Sequence, residues 1–330
     1  MSVALRPLLA GVLLALSGLA AASEPAQLTL LAEHPVEGMR GGNLSGLAWC
    51  GDALLAVSDR DDDRIYRFDV AVEGVWQAEV EPLAAPPAPL SGLPWGMRVR
   101  NGLAGMLRGG ELDFEGISCD AMGNRYLVSE SKVAVLRVPP AGTPQWLPLP
   151  AGVVRQARAS GMLLQANAMF EGITVDPAGE RLWLAAERQR RGLLVVHNRR
   201  GSWACRGGCV LMAEGGDELP PPALGNRARA KDFSALAFHG DKLFVLERLA
   251  HRICRRHPAT AAVERCWSFS EVALADSRRY DSPYGLVEAL EVDEQGAWLG
   301  VDNNERRRAD GELRPVVWRL AAPAKGWLQQ

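Results

Sequence analysis

The side chains best placed to do chemistry in this 330-residue chain are carboxylates that recur at fixed points of a repeat. A short phrase appears five times, as Ser45-Gly46-Leu47-Ala48, Glu115-Gly116-Ile117-Ser118, Glu171-Gly172-Ile173-Thr174, Ser234-Ala235-Leu236-Ala237 and Glu288-Ala289-Leu290-Glu291, with starts 54 to 70 residues apart. Each phrase is followed 13 to 16 residues later by an acid that ends an apolar run: Asp59, Glu130, Glu187, Glu247 and Asp302. Brought together, these acids and the phrase glutamates repel one another unless cations, shared protons or arginines compensate. Arg60, Arg188 and Arg248 directly follow three of them. A hard cation takes roughly six to eight oxygens from carboxylates, carbonyls and water. Once bound, it polarises an ester or phosphoryl oxygen and activates water. The expected ligands of calcium or another divalent cation are Asp59, Glu115, Glu130, Glu171, Glu187, Glu247, Glu288 and Asp302, and the expected catalytic groups are Glu115, Glu171, Arg188 and Arg248. The competing reading makes the same acids strand caps and ion-pair partners that hold the repeats together.

Other chemistries find less support. The chain has no G-x-S-x-G elbow and no H-E-x-x-H pair. Its five histidines, His34, His197, His239, His251 and His257, do not fall at equivalent repeat positions. Ser45 and Ser234 stand where three phrases have glutamate, which leaves a hydroxyl nucleophile as an alternative to a small polar filler. Trp49, Trp95, Trp183, Trp298 and Trp318 offer either stacking surface for a ligand or packing between repeats.

Carboxylates in separate repeats need a scaffold that gathers them. Each phrase runs into a turn, such as 120–124 or 176–180, and then into an apolar run at 53–58, 125–129, 181–186, 242–246 or 297–301. Two β-runs joined by a turn form an antiparallel hairpin, in which the start of the first strand lies beside the end of the second. Phrase and acid therefore share one edge. Third runs follow at 64–70, 133–138, 192–197, 252–255 and 315–320, and fourth runs are visible at 76–80 and 263–269. Units of about four strands at this period are propeller blades. The expected fold is all-β: a β-propeller of five blades by repeat count, or six if the Pro-rich insertion 83–111 hides a degenerate one. The last unit lacks a fourth strand, and residues 27–36 are expected to supply it and close the ring.

A formal charge of −2, from 37 Lys+Arg against 39 Asp+Glu, provides no basic footprint for nucleic acid. Arg6, the apolar stretch 8–19 and Ala20-Ala21-Ala22-Ser23 read as a signal peptide over residues 1–22. Residues 23–330 are then expected to form a single propeller domain, monomeric, periplasmic or secreted, with no membrane span. Export makes disulfides of the six cysteines. Cys254 and Cys266 flank a turn-like stretch, 257–260, Cys205 and Cys209 enclose Arg206-Gly207-Gly208, and Cys50 and Cys119 remain by elimination. Zinc on His251, Cys254, His257 and Cys266 is the alternative.

The runs Asp113-Phe114-Glu115-Gly116-Ile117, Phe170-Glu171-Gly172-Ile173, Trp183-Leu184-Ala185-Ala186-Glu187, Leu243-Phe244-Val245-Leu246-Glu247-Arg248 and Val301-Asp302-Asn303-Asn304 resemble, in order and spacing, the signature runs of the exported phytase-like family, described as having an esterase-like activity of phytase. The resemblance covers nearly all of the chain after residue 22. It implies a propeller and a hydrolase activity, with no assigned catalytic set. Two units depart from the pattern, one with Ala289 in place of a glycine and one with Ser234 in place of the acid. The expected function is a periplasmic esterase-like or phosphoesterase-like hydrolase acting on a small-molecule ester or phosphoester at a carboxylate-rich mouth. The alternatives are a non-catalytic propeller that binds a ligand, glycan or partner protein, and a lactonase-like propeller.

Overall fold

The computed structural model describes residues 25–100, 111–166 and 168–329. The expected signal peptide lies outside them, as do residues 101–110 of the insertion.

Strands such as Ala53–Val57 and Arg181–Ala186 carry uninterrupted apolar runs and are buried on both faces, as strands in a sheet covered on both sides must be. Five such sheets supply one another's cover. Blade 1 is Gly46–Cys50, Ala53–Val57, Arg64–Phe68 and Glu79–Pro82, and blade 2 is Phe114–Cys119, Arg125–Ser129, Ala134–Val138 and Gln145–Trp146. In blade 3, Phe170–Val175 and Arg181–Ala186 precede the long strand Arg190–Arg199, which pairs with both Ser202–Ala204 and Val210–Gly215. Blade 4 is Ala235–His239, Lys242–Glu247, Arg252–Arg256 and Val263–Ser268. Blade 5 is Val287–Asp293, Gly296–Val301 and Val316–Ala321, completed by Leu30–Glu37 from the other end of the chain. The first strand of each blade packs on that of the next, and the last on the first, so the ring closes with five. Among the described residues of the insertion there is no strand, and the six-blade alternative falls.

Ring closure occurs where expected. Leu30–Glu37 runs antiparallel to Val316–Ala321, with Leu30 opposite Leu320 and Pro35 opposite Val316. Gln27 sits apart, in the two-residue strand Ala26–Gln27 on the outer edge of blade 4. The expected fourth strand at 76–80 divides. Trp76–Gln77 crosses to pair in parallel with Val36 and Glu37 of blade 5, and Glu79–Pro82 alone finishes blade 1.

All three expected disulfides form. Cys254 and Cys266 are register partners in blade 4, with Cα atoms 4.1 Å apart, which removes the zinc alternative. Cys205–Cys209 closes a tight loop, and Cys50–Cys119 ties blade 1 to blade 2 across 5.4 Å between Cα atoms. Trp183, Trp298 and Trp49 pack between blades, Trp183 stacking on Phe238 at 5.1 Å and Trp298 meeting Trp49 edge-on at 6.1 Å, whereas Trp95 lies exposed on the insertion. No helix among the described residues is long and apolar enough to cross a membrane.

Candidate functional site

The first strands begin at one end of the ring, and there the ladders are irregular. Phe114 faces Ser129 and Gly116 faces Val128, leaving Glu115 as an extra residue, and Glu171 and Glu288 are left over in the same way. A β-bulge re-aims the side chain of its extra residue. All three phrase glutamates sit on bulges and reach the axis. In the serine blades the regular ladder starts at Gly46 and Ala235, one residue past the serine. Ser45 Oγ accepts the Asp59 N–H at 3.2 Å, and Ser234 Oγ donates to the Val287 carbonyl at 3.3 Å. Both serines are buried, and neither lines the cavity, so the hydroxyl-nucleophile alternative loses its site.

A cavity of about 530 Å³ occupies this end of the ring, lined by Asp59, Glu115, Glu130, Glu171, Glu187, Glu288 and Asp302, and by Arg60, Arg188 and Arg248. Glu247, expected with the acids, is placed elsewhere. The ladders explain the difference. Gly116, Gly172 and Ala289 pair with Val128, Ala185 and Gly300, and the acids Glu130, Glu187 and Asp302 follow two residues after those partners. Ala235 pairs with Leu246, so the equivalent position in blade 4 is Arg248. Glu247 is one residue short, and a slip of one along a strand turns the side chain to the opposite face. There it is buried against Arg191 at 3.1 Å, Arg256 at 2.9 Å and Arg252.

Blade 4 thus contributes a cation to a ring of acids. Arg248 donates from Nε to Asp232 Oδ2 at 3.1 Å, from Nη2 to Glu187 Oε1 at 2.9 Å, and from Nη1 to Glu288, joining blades 3, 4 and 5. Arg188 pairs with Glu187, and Arg60 with Asp59 at 3.5 Å. Asp302 accepts the N–H and the side-chain amide of Asn304, and Glu130 Oε1 accepts the Met169 N–H at 3.1 Å. Among the described residues no arginine pairs with Glu115 or Glu171.

Compensation is incomplete, and the titration of the acids reflects it. Burial, then Glu171, Asp113, Asp59 and Glu130, push Glu115 well above the usual carboxylate range. Burial, then Glu187, Glu130 and Glu288, do the same to Glu171 despite Arg248. Asp302 is raised well above its ordinary value by burial and by Glu288 and Asp59. Burial also raises Glu187, against the pull of Arg248 and Arg188. Oxygens of Glu130, Glu171 and Glu187 lie within 4.8 Å of one another, as do those of Asp59, Asp113 and Glu115.

Sequence reasoning missed Asp113, Asp232, Arg229, Tyr284 and Asn304. Asp232, Arg229, Tyr284 and Asn304 line the cavity, and Asp113 joins the second carboxylate group. The two aspartates had a usable signal, since each stands two residues before a phrase residue. Asp232 therefore brings to blade 4 the acid that Ser234 lacks.

The fold and this mouth define a five-bladed propeller with a buried, carboxylate-rich axial cavity. The chain belongs to the phytase-like family, described as having esterase-like activity of phytase, whose model matches residues 40–305. No curated protein matches the chain in sequence. Among solved structures it is similar to glutaminyl cyclase of Myxococcus xanthus, at 11% identity and a TM-score of 0.50, covering 90% of this chain and 97% of that one. It is also similar to the PQQ-bound aldose sugar dehydrogenase of Streptomyces coelicolor, at 15% identity and a TM-score of 0.46, covering 89% and 98%. At such identities the likeness to the cyclase is one of fold.

Proposed function

We propose that the chain is an exported, cation-dependent hydrolase that cleaves a small-molecule ester or phosphoester in the axial cavity. The observation that carries this reading is the Glu130–Glu171–Glu187 group, because Glu187 Oε2 is buried with no hydrogen-bond partner. A buried carboxylate oxygen left without a donor is costly, and a hard cation supplies what it lacks. The donor set fits: carboxylate oxygens suit calcium or a similar divalent ion. Glu130 from blade 2 and Glu171 and Glu187 from blade 3 would hold it, with Asp59, Asp113 and Glu115 close by. Such a cation supplies polarisation of an ester or phosphoryl oxygen and acidification of water. Burial and its acidic neighbours raise the carboxyl of Glu115 well above its ordinary value, the direction that suits a group giving a proton to a leaving alkoxide. Arg248 and Arg188, expected among the catalytic groups, act by fixing Glu187, Asp232 and Glu288 in place.

Family membership and the three disulfides support export; removal of residues 1–22 and a monomeric propeller over 23–330 belong to the same proposal. The test is hydrolysis of a generic acyl ester and a generic phosphoester before chelation, after chelation, and after calcium is restored. Activity that vanishes with the chelator and returns with calcium is expected. Absence of turnover under every metal condition would leave the propeller a binding module.

A further inference from the structure

We infer that Arg229 recognises an oxyanion, so that the molecule entering the cavity carries a phosphate or carboxylate group; this rests on reading the cavity as the ligand site. Four arginines line that cavity, and three of them are committed to the protein's own acids: Arg60 to Asp59, Arg188 to Glu187, and Arg248 to Asp232, Glu187 and Glu288. Arg229 is the exception. Among the described residues no carboxylate pairs with it, and its Nε is buried without a hydrogen-bond partner. An unpaired guanidinium donor at a cavity wall leaves a deficit that a planar or tetrahedral oxyanion fills with its paired oxygens.

The backbone around Arg229 is held ready. It lies in a two-stranded ribbon, Asp217–Glu218 with Arg229–Ala230, in which Glu218 stands directly opposite Arg229. That arrangement normally makes a cross-strand ion pair. Here, however, Glu218 Oε2 accepts from Arg252 of blade 4 at 3.1 Å, which anchors the ribbon, and Glu218 Oε1 is buried without a hydrogen-bond partner and makes no ion pair with Arg229. The ribbon's far end is held by Arg279, whose Nη2 donates to the Ala223 carbonyl at 3.2 Å. Arg229 is thus carried on a fixed strap, and its head is free for a ligand.

The charge balance sets the order of events. Eight acids, including Asp232, face four arginines around the cavity, so an anion is repelled until a cation occupies the carboxylates. With the cation in place, Arg229 is, among the described arginines of the cavity, the one without a carboxylate partner. It selects an anionic ligand over a neutral one of the same shape.

The experiment measures binding of inorganic phosphate and of malonate to the calcium-loaded full chain by calorimetry, for wild type, R229A, R229K and E218Q. Wild type is expected to bind at least one probe, and the probe it binds identifies the group. R229A should weaken that binding about tenfold to a hundredfold, the scale of a charge-assisted pair, with partial recovery in R229K. Calcium affinity, set by the carboxylates, should not fall. Circular dichroism confirms that each variant is folded. The inference is overturned if wild type binds neither probe, if R229A binds as wild type does, or if R229A only matches E218Q in losing melting temperature. The hydrolase reading stands apart: oxyanion binding that needs Arg229 in a protein without turnover sinks the hydrolase and keeps this inference. Conversely, turnover whose preference for anionic over neutral esters is unchanged in R229A sinks this inference and keeps the hydrolase.

Discussion

Glu171 and Glu247 are both buried carboxylates at the ends of blade hairpins, and their neighbours give them opposite character. Glu171 faces other acids and is raised well above its ordinary value, by burial first and then by Glu187, Glu130 and Glu288. Burial also opposes ionisation of Glu247, but Arg191, Arg252 and Arg256 outweigh it and hold its carboxyl below its ordinary 4.5. A lowered folded value means that Glu247 stabilises fully above pH 4.5 and loses that contribution as pH falls through the folded value. E247Q removes the counter-charge shared by Arg191, Arg252 and Arg256; Arg191 keeps Glu214 and Arg252 keeps Glu218, but the buried Arg256 loses its carboxylate, which should cost about 3–5 kcal/mol, read from urea unfolding at pH 7. The loss should shrink as the pH is lowered, and calcium affinity should be retained. E171Q should do the reverse, staying folded while calcium titration shows a clear loss of affinity. Equal calcium affinity in wild type and E171Q would make Glu171 a structural acid.

The first strands of the blades approach so closely that the phrase's second position is sterically restricted. A Cβ on Gly46 would lie 2.8 Å from the Gly116 Cα, and one on Gly172 would lie 3.0 Å from the backbone of Ala235 and Leu236. On Gly116 the nearest atoms would be 3.2 Å away. Blade 5 has Ala289 at this position, opposite Gly300, where a Cβ would lie 2.8 Å from the Ala289 Cβ. The contacts rank the substitutions. Gly46→Ala and Gly172→Ala should each cost about 1–3 kcal/mol by overpacking, and Gly116→Ala less, as measured by shifts in the urea midpoint at constant m-value. A larger loss in G116A than in G46A would show that these approach distances do not govern stability.

Closure of the ring decides whether five blades behave as one unit. Leu30–Glu37 buries Val36 beside Trp76 and Val317, and Trp76 in turn stacks on His34 at 4.1 Å. The closing strand, the crossover of Trp76–Gln77 and the Cys50–Cys119 bridge all join blades 5, 1 and 2. Val36→Asp places an unpaired charge in that core, at a cost of several kcal/mol, roughly the whole margin of a small domain. Thermal melting followed by near-ultraviolet circular dichroism should show a lower, broader transition than wild type. A variant that melts like wild type would mean the blades hold together without this strand.

Much of this was legible along the chain. The spacing of phrase and acid determined the hairpins, their period determined the blades, and the strand missing after Val316–Ala321 pointed to Leu30–Glu37. Short apolar runs bounded by turn residues suffice for such inferences, and they also placed Cys254 opposite Cys266. The membership of the mouth was settled only in three dimensions. Blade 4 looked as if it ended on Glu247, yet its register with Ala235 delivers Arg248, because one residue along a strand reverses the face a side chain takes. Asp232 and Arg229 enter from segments outside the repeat, and Arg191 reaches Glu247 from blade 3. Arg60 and Arg188 pair with the acids they follow in sequence, but the reach of Arg248 to Glu187 and Glu288, 61 and 40 residues away, and of Arg191 to Glu247 joins different blades, and tertiary packing decides it.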